Sequence, residues 1–106
     1  MSYQLSVQGN DDHDHVSAKK FLKLKGVKAG KVAHKRKDGY IEQWITVAGY
    51  SNLLLQYYSD LDCIFAVNVW GGPDGKVLKA LAKQIEAAGG ELYEEEEPKF
   101  HRIHSK

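Results

Sequence analysis

The chain predicts a two-layer α+β sandwich: an antiparallel-rich sheet covered by two helices, ferredoxin-like or an elaboration of that arrangement with an inserted hairpin. Three observations carry this expectation. Val77, Leu78, Leu81, Ala82, Ile85 and Ala88 recur at the spacing of one helix face, the pattern of a helix that buries a single apolar stripe. From Cys63 to Trp70 the residues are apolar, β-branched or aromatic except for Asn68, the composition of a central strand buried on both faces. Around these two segments the order is strand, helix, four strands, helix, strand, and each helix must lay its stripe on the sheet.

At the amino end Tyr3, Leu5 and Val7 alternate with Gln4, Ser6 and Gln8 ahead of Gly9 and Asn10, which predicts a half-buried strand closed by a turn. Residues 16–25 predict a short helix with Ala18, Phe21, Leu22 and Lys25 on one face, Asp14 as its cap and Gly26 as its stop. Asp38-Gly39 predicts a type I′ hairpin turn, which needs positive φ at both central residues, between strands over 31–37 and 40–47. In the second arm Ile41, Gln43, Ile45 and Val47 lie on one face, with Tyr40, Glu42, Trp44 and Thr46 on the other. A turn over 48–52, a strand over 53–58 and a tight connection over 59–62 lead into the central strand. The loop over 71–75 sets Asp74 to cap the long helix, and Gly89-Gly90 ends it. Glu91, Leu92, Tyr93 and Glu94 predict an edge strand whose acids discourage pairing with another edge. That strand and the preceding one form a right-handed crossover if they are parallel. The single domain is expected to close at residue 98, with 99–106 as a tail that either docks through Phe100 and Ile103 or frays.

A chain of 106 residues has room for one core, and 42% hydrophobic with 27% charged residues is the balance of a folded domain rather than a disordered segment. Cys63 is the single cysteine, so no internal disulfide forms, and its apolar neighbours favour an inert thiol. No apolar run approaches the ~18 residues that span a bilayer, and the amino end lacks a basic-then-apolar export signal. These features predict a cytoplasmic protein with no membrane partner.

The formal net charge of +1 conceals a segregation. Nine of the fifteen basic residues fall between Lys19 and Lys37 with no acid among them, whereas five acids crowd into Glu91, Glu94, Glu95, Glu96 and Glu97. Lys19, Lys20, Lys23, Lys31, Lys35, Arg36 and Lys37 are therefore candidate binding residues, joined by Tyr40 and Trp44 on the adjoining hairpin and by the acids at 94–97. A lysine surface attracts acidic proteins and phosphate backbones alike. With one arginine among the nine cations and a pI near 7.8, well under the value of about 9 usual for nucleic-acid binders, a protein partner is the leading expectation. A nucleic-acid-binding domain using the 19–37 region is the alternative, with Tyr40 and Trp44 stacking on bases.

Residues 10–15 gather three aspartates and two histidines, types that ligate divalent metals. They lack the spacings of zinc or calcium sites and predict a solvated turn, so no metal or cofactor is expected. The outline of helix, three-strand meander, helix and strand resembles the restriction-endonuclease-like core, with Asp62 ahead of the apolar strand where such enzymes place a metal-binding aspartate. The resemblance implies a second alternative, a metal-dependent nuclease or hydrolase. That chemistry also needs a carboxylate and a lysine on the following strand, and Cys63–Trp70 supplies neither. The leading expectation is thus a small non-enzymatic binding or accessory protein that acts through charged surfaces on a protein partner.

Overall fold

The computed structural model describes residues 2–10, 15–96 and 99–106, with the backbone alone at 95 and 96. Ten elements follow one another: β1 (Ser2–Gly9), β2 (Val16–Ser17), α1 (Ala18–Leu22), β3 (Val27–Lys35), β4 (Tyr40–Val47), β5 (Tyr50–Tyr58), β6 (Cys63–Trp70), α2 (Gly75–Ala87), β7 (Gly90–Glu96) and β8 (Lys99–Ile103). All eight strands join one sheet in the order β3-β4-β5-β6-β1-β7-β8, with β2 continuing beside β6 where β1 leaves off. Every pairing is antiparallel.

The expected two-layer sandwich with two covering helices is corrected by this topology: the molecule is mostly antiparallel sheet, and its helices are short. α1 has 5 residues and α2 has 13, so one helix supplies most of the second layer. The loss of helix at the amino side has a local cause. Val16 and Ser17 pair with Ile64 and Cys63 as a strand, and Ser17, not Asp14, caps α1 by accepting from the Lys20 amide. Asp14 lies outside the described residues.

One helix can serve so many strands only because the sheet curls. α2 touches β4, β7 and β8, although β5, β6 and β1 lie between β4 and β7. Flat, those four spacings would cover roughly 19 Å at ~4.8 Å each, more than a helix about 10 Å wide can reach across. Leu81, Ala82 and Ile85 fill the concave side with Phe21 from α1, meeting Leu5, Ile45, Leu53, Leu55, Val67 and Leu92 from five strands. Asp74 caps α2, accepting from the Val77 amide at 3.1 Å, as the sequence predicts. β6 is fourth of the seven strands on the main path, the central position its composition demands. β6 and β7 run parallel, each antiparallel to β1 between them, so α2 is a crossover that skips one strand.

Three connections differ from expectation. Arg36 donates to the Tyr40 carbonyl at 2.9 Å and Gly39 to the Arg36 carbonyl at 3.2 Å, with φ of +95° at Gly39 and no positive φ at Asp38. This is a three-residue loop closed by a glycine, not the predicted type I′ turn. The tight turn with positive φ at both central positions is instead Ala48-Gly49, at +53° and +79°, between Val47 and Tyr50. At the carboxyl side β7 is not an edge, because Lys99–Ile103 pairs outside it as β8. Ile103 packs on the core and Phe100 stays 52% exposed.

Leu81 is fully buried, so Leu81→Ala should destabilise the fold by about 2–5 kcal/mol through the cavity it leaves. Lys79→Ala, on the exposed side, should change stability by less than about 0.5 kcal/mol. Denaturant melts check both, and equal effects would mean that the helix face is wrongly placed. Ala48 holds a left-handed conformation that costs an L-residue about 1–2 kcal/mol. Ala48→Asn, which creates the preferred Asn-Gly pair, should raise the melting temperature, whereas an unchanged or lowered value would show that the turn is not type I′.

Candidate interaction surface

The basic block occupies the β3 end of the sheet and reaches both of its faces. α1 lies against β3, and Lys19, Lys20, Lys23, Lys31, Lys35, Arg36 and Lys37 are all exposed, as are Lys25 and Lys28. β3 is an outer strand in which only Val27 is buried, and its register divides the charges between two faces. Lys35 lies opposite Ile41 on the helix-bearing face, with the α1 lysines. His34 lies opposite Glu42, and Arg36 stacks its guanidinium 4.5 Å from the Tyr40 ring centroid, both on the uncovered face. Arg36 pairs with Asp38 at 2.6 Å, and that contact, with the Tyr40 amide, holds the Asp38 carboxyl below its ordinary range. Among the described residues, Lys20, Lys23, Lys25, Lys28, Lys31, Lys35 and Lys37 have no ion-pair partner.

Tyr40 and Trp44 stand on the uncovered face of β4, and both are half-buried. Tyr40, Tyr58 and Phe65 form a triangle with every pair of ring centroids 5.6 Å apart, the tilted packing aromatic rings prefer. The register shift between Gln56 and Tyr57 turns Phe65 onto this face beside Ala66. A polar chain runs along the same face. Gln4 donates to Gln56 at 3.1 Å, Gln56 to the Tyr40 hydroxyl at 3.1 Å and to Glu42 at 3.0 Å, and Tyr40 to Glu42 at 2.8 Å. The Gln56 hydrogen bond holds the Glu42 carboxyl below its usual value against the opposing effect of burial. Burial, then the hydrogen bond to Glu42, pushes the Tyr40 phenol up to about 12. Leu54 and Ala66 lie beneath, 6% and 1% exposed, so this face seals itself with its own long side chains.

The groups suited to covalent or metal chemistry are held in structural roles. The Asp62 carboxylate, in the position that suggests a metal ligand, accepts from the Ser17 hydroxyl and, at 2.8 Å, from the Lys19 amide. Burial works to raise its carboxyl, but these donors and the Lys19 charge outweigh it and the carboxyl is held low. Burial pushes the Cys63 thiol up, away from the thiolate a nucleophile needs. No group of three metal-ligating side chains occurs among the described residues, and residues 11–14 of the aspartate–histidine cluster lie outside them. At the carboxyl end Glu86, Arg102, His104, Ser105 and Lys106 line a polar cavity of about 310 Å³. Its Arg102 is already shared between Glu86 at 3.6 Å and Glu91 at 3.3 Å.

Glu94 is exposed on β7. Glu95 and Glu96 are described by backbone alone, and Glu97 lies outside the described residues. Four strands separate β7 from β3, so the acidic and basic strands belong to opposite ends of the sheet. The sequence shows the lysines and half of the β4 face but not the register that assembles Gln4, Glu42, Gln56, Tyr58 and Phe65, because those residues come from four strands. No protein-family model, curated protein or solved structure matches the chain.

Asp62→Ala removes two hydrogen bonds to a carboxylate and leaves alanine at a φ of +50°, so it should cost about 1–3 kcal/mol. Because the folded carboxyl lies below its unfolded value, the stabilisation is complete above about pH 5 and is lost as pH falls through the folded value. Wild type and variant should therefore converge in thermal melts as the pH is lowered. A gap that is constant or widens toward acid would contradict the assigned role.

Proposed function

We propose that this chain is a non-enzymatic binding protein that presents the lysine surface of α1 and β3 to an acidic face of a protein partner. The observation that carries the reading is the set of seven exposed lysines without ion-pair partners among the described residues, four of them on the adjacent elements α1 and β3 and three in the connections beside them, in a chain of net charge +1. A domain gains nothing in stability by gathering like charges, whereas a partner of opposite sign is attracted and steered by them. Lysine is a hydrated point charge on a flexible stem, better suited to steering than to the bidentate reading of phosphate or base that arginine performs.

The nucleic-acid alternative loses part of its support on the uncovered face. Tyr40 is engaged by Arg36, Glu42, Tyr58 and Phe65, and the low-lying Glu42 carboxyl sets a negative charge where a phosphate backbone would run. The metal-dependent hydrolase alternative loses Asp62 to the cap of α1. No described helix is long and apolar enough to cross a membrane, and the lone Cys63 suits the reducing cytoplasm we assign as the site of action.

Reversing Lys20, Lys23, Lys31 and Lys35 to glutamate should leave the melting temperature within a few degrees, since all four are exposed. It should cut the association rate with the partner captured from source cells at least tenfold at low salt. Titrations with single-stranded and duplex DNA at two salt concentrations complete the test. Strong DNA binding with a steep salt dependence, abolished by the same reversal, would replace this reading with the nucleic-acid one.

A further inference from the structure

The two outer strands of the sheet are not equivalent. β3 is interrupted by two register shifts, between Ala29 and Val32 and between Val32 and His34, and it carries lysines along its length. Bulges and edge lysines are the devices that keep a strand from pairing with another. β8 has no such shift, and its single lysine is its first residue: its five residues run in unbroken register from Ile103 opposite Leu92 to Lys99 opposite Glu96. Residues 99–102 are exposed. After β8 the chain turns toward α2, where Ser105 donates to Glu86 at 2.9 Å, and among the described residues no strand pairs with the outer edge of β8.

The backbone groups on that open edge follow from the ladder. Asn10 donates to the Gly89 carbonyl at 3.1 Å, in step with the β1–β7 register, so odd-numbered residues of β7 bond toward β1 and even-numbered ones toward β8. Glu94 and Leu92 then bond to His101 and Ile103, and the N–H and C=O groups of Phe100 and Arg102 point outward. We infer that two copies of this chain pair through antiparallel β8 strands centred on His101, each Phe100 bonding to Arg102 of the other copy.

This register uses all four outward groups of each strand, giving two hydrogen-bonded pairs, one on each side of a His101–His101 contact. A shift that centres the pair on Arg102 would oppose two guanidiniums, and one centred on Phe100 would keep only one hydrogen-bonded pair. The chosen register sets the aromatic ring of Phe100, already 52% exposed, against the Arg102 stem. Repulsion between the two Arg102 charges is offset within each copy by Glu86 and Glu91. The contact is isologous and closes as a two-fold dimer. Five residues a side fall short of the roughly 1,000 Å² of a permanent complex, so the dimer is reversible and concentration-dependent.

Sedimentation equilibrium from micromolar to millimolar protein should show a monomer–dimer equilibrium in the wild type. Phe100→Pro removes an outward N–H without touching the ladder to β7 and should leave monomer alone at all concentrations, while Phe100→Val should still dimerise. If Phe100→Pro does not fold, the decisive measurement is His101→Cys in a Cys63→Ala background. Antiparallel non-hydrogen-bonded partners lie about 4.5 Å apart at Cα, so oxidation should cross-link that variant into dimers and leave Ile103→Cys uncross-linked. A wild type that stays monomeric throughout, a dimer that persists in folded Phe100→Pro, or cross-linking at Ile103→Cys in preference to His101→Cys would overturn the inference.

Discussion

The structure depends on one packing relation, the burial of the α2 stripe in the hollow of a curled sheet. Leu81, Ala82 and Ile85 are fully buried, and the same short helix touches strands near both ends of the sheet. A longer or second full helix would let the strands lie flatter; with 13 residues of α2 and 5 of α1 the strands must come to the helix. Antiparallel strands with right-handed twist accommodate such curvature, and register shifts help to produce it. The shifts in β3, β5 and β6 are consistent with that demand.

The same relation explains the uncovered face. With no helix left to cover it, apolar residues there must be shielded by their neighbours' side chains. Leu54 lies between Trp44 and Asn68 in the register, and Ala66 lies opposite Gln56, whose side chain hydrogen-bonds to Tyr40 and Glu42. Trp44 and Tyr40 are therefore structural in part, and among the described residues the densest run of exposed lysines without ion-pair partners lies on and beside α1 and β3.

How much of this the sequence shows depends on the range of the contact. The α2 stripe, its Asp74 cap, the alternation in β4 and the central place of β6 are local patterns, and all are legible in order along the chain. The first helix is misjudged because the pairing of Val16 with Ile64, 48 residues away, decides that segment as a strand. The type I′ turn is assigned to Asp38-Gly39 by residue preference, yet the structure spends that conformation on Ala48-Gly49, where alanine gives no local signal. The tail becomes β8 because Ile103 completes the apolar face beside Leu92, a contact set by register. For the binding surface the lysines are legible from charge alone. Their division between two faces of β3 follows from register shifts that no sequence period reveals, and the Ser17–Asp62 contact joins residues 45 apart.

The curl of the sheet round α2 is most directly tested by methyl-to-methyl NOE measurements from Leu81 and Ile85. The structure predicts long-range contacts from α2 to methyl groups on β4, among Ile41, Ile45 and Val47, and also to Leu92 on β7. Contacts from α2 to β7 and its neighbours alone, with none to β4, would show a flatter sheet and contradict the account.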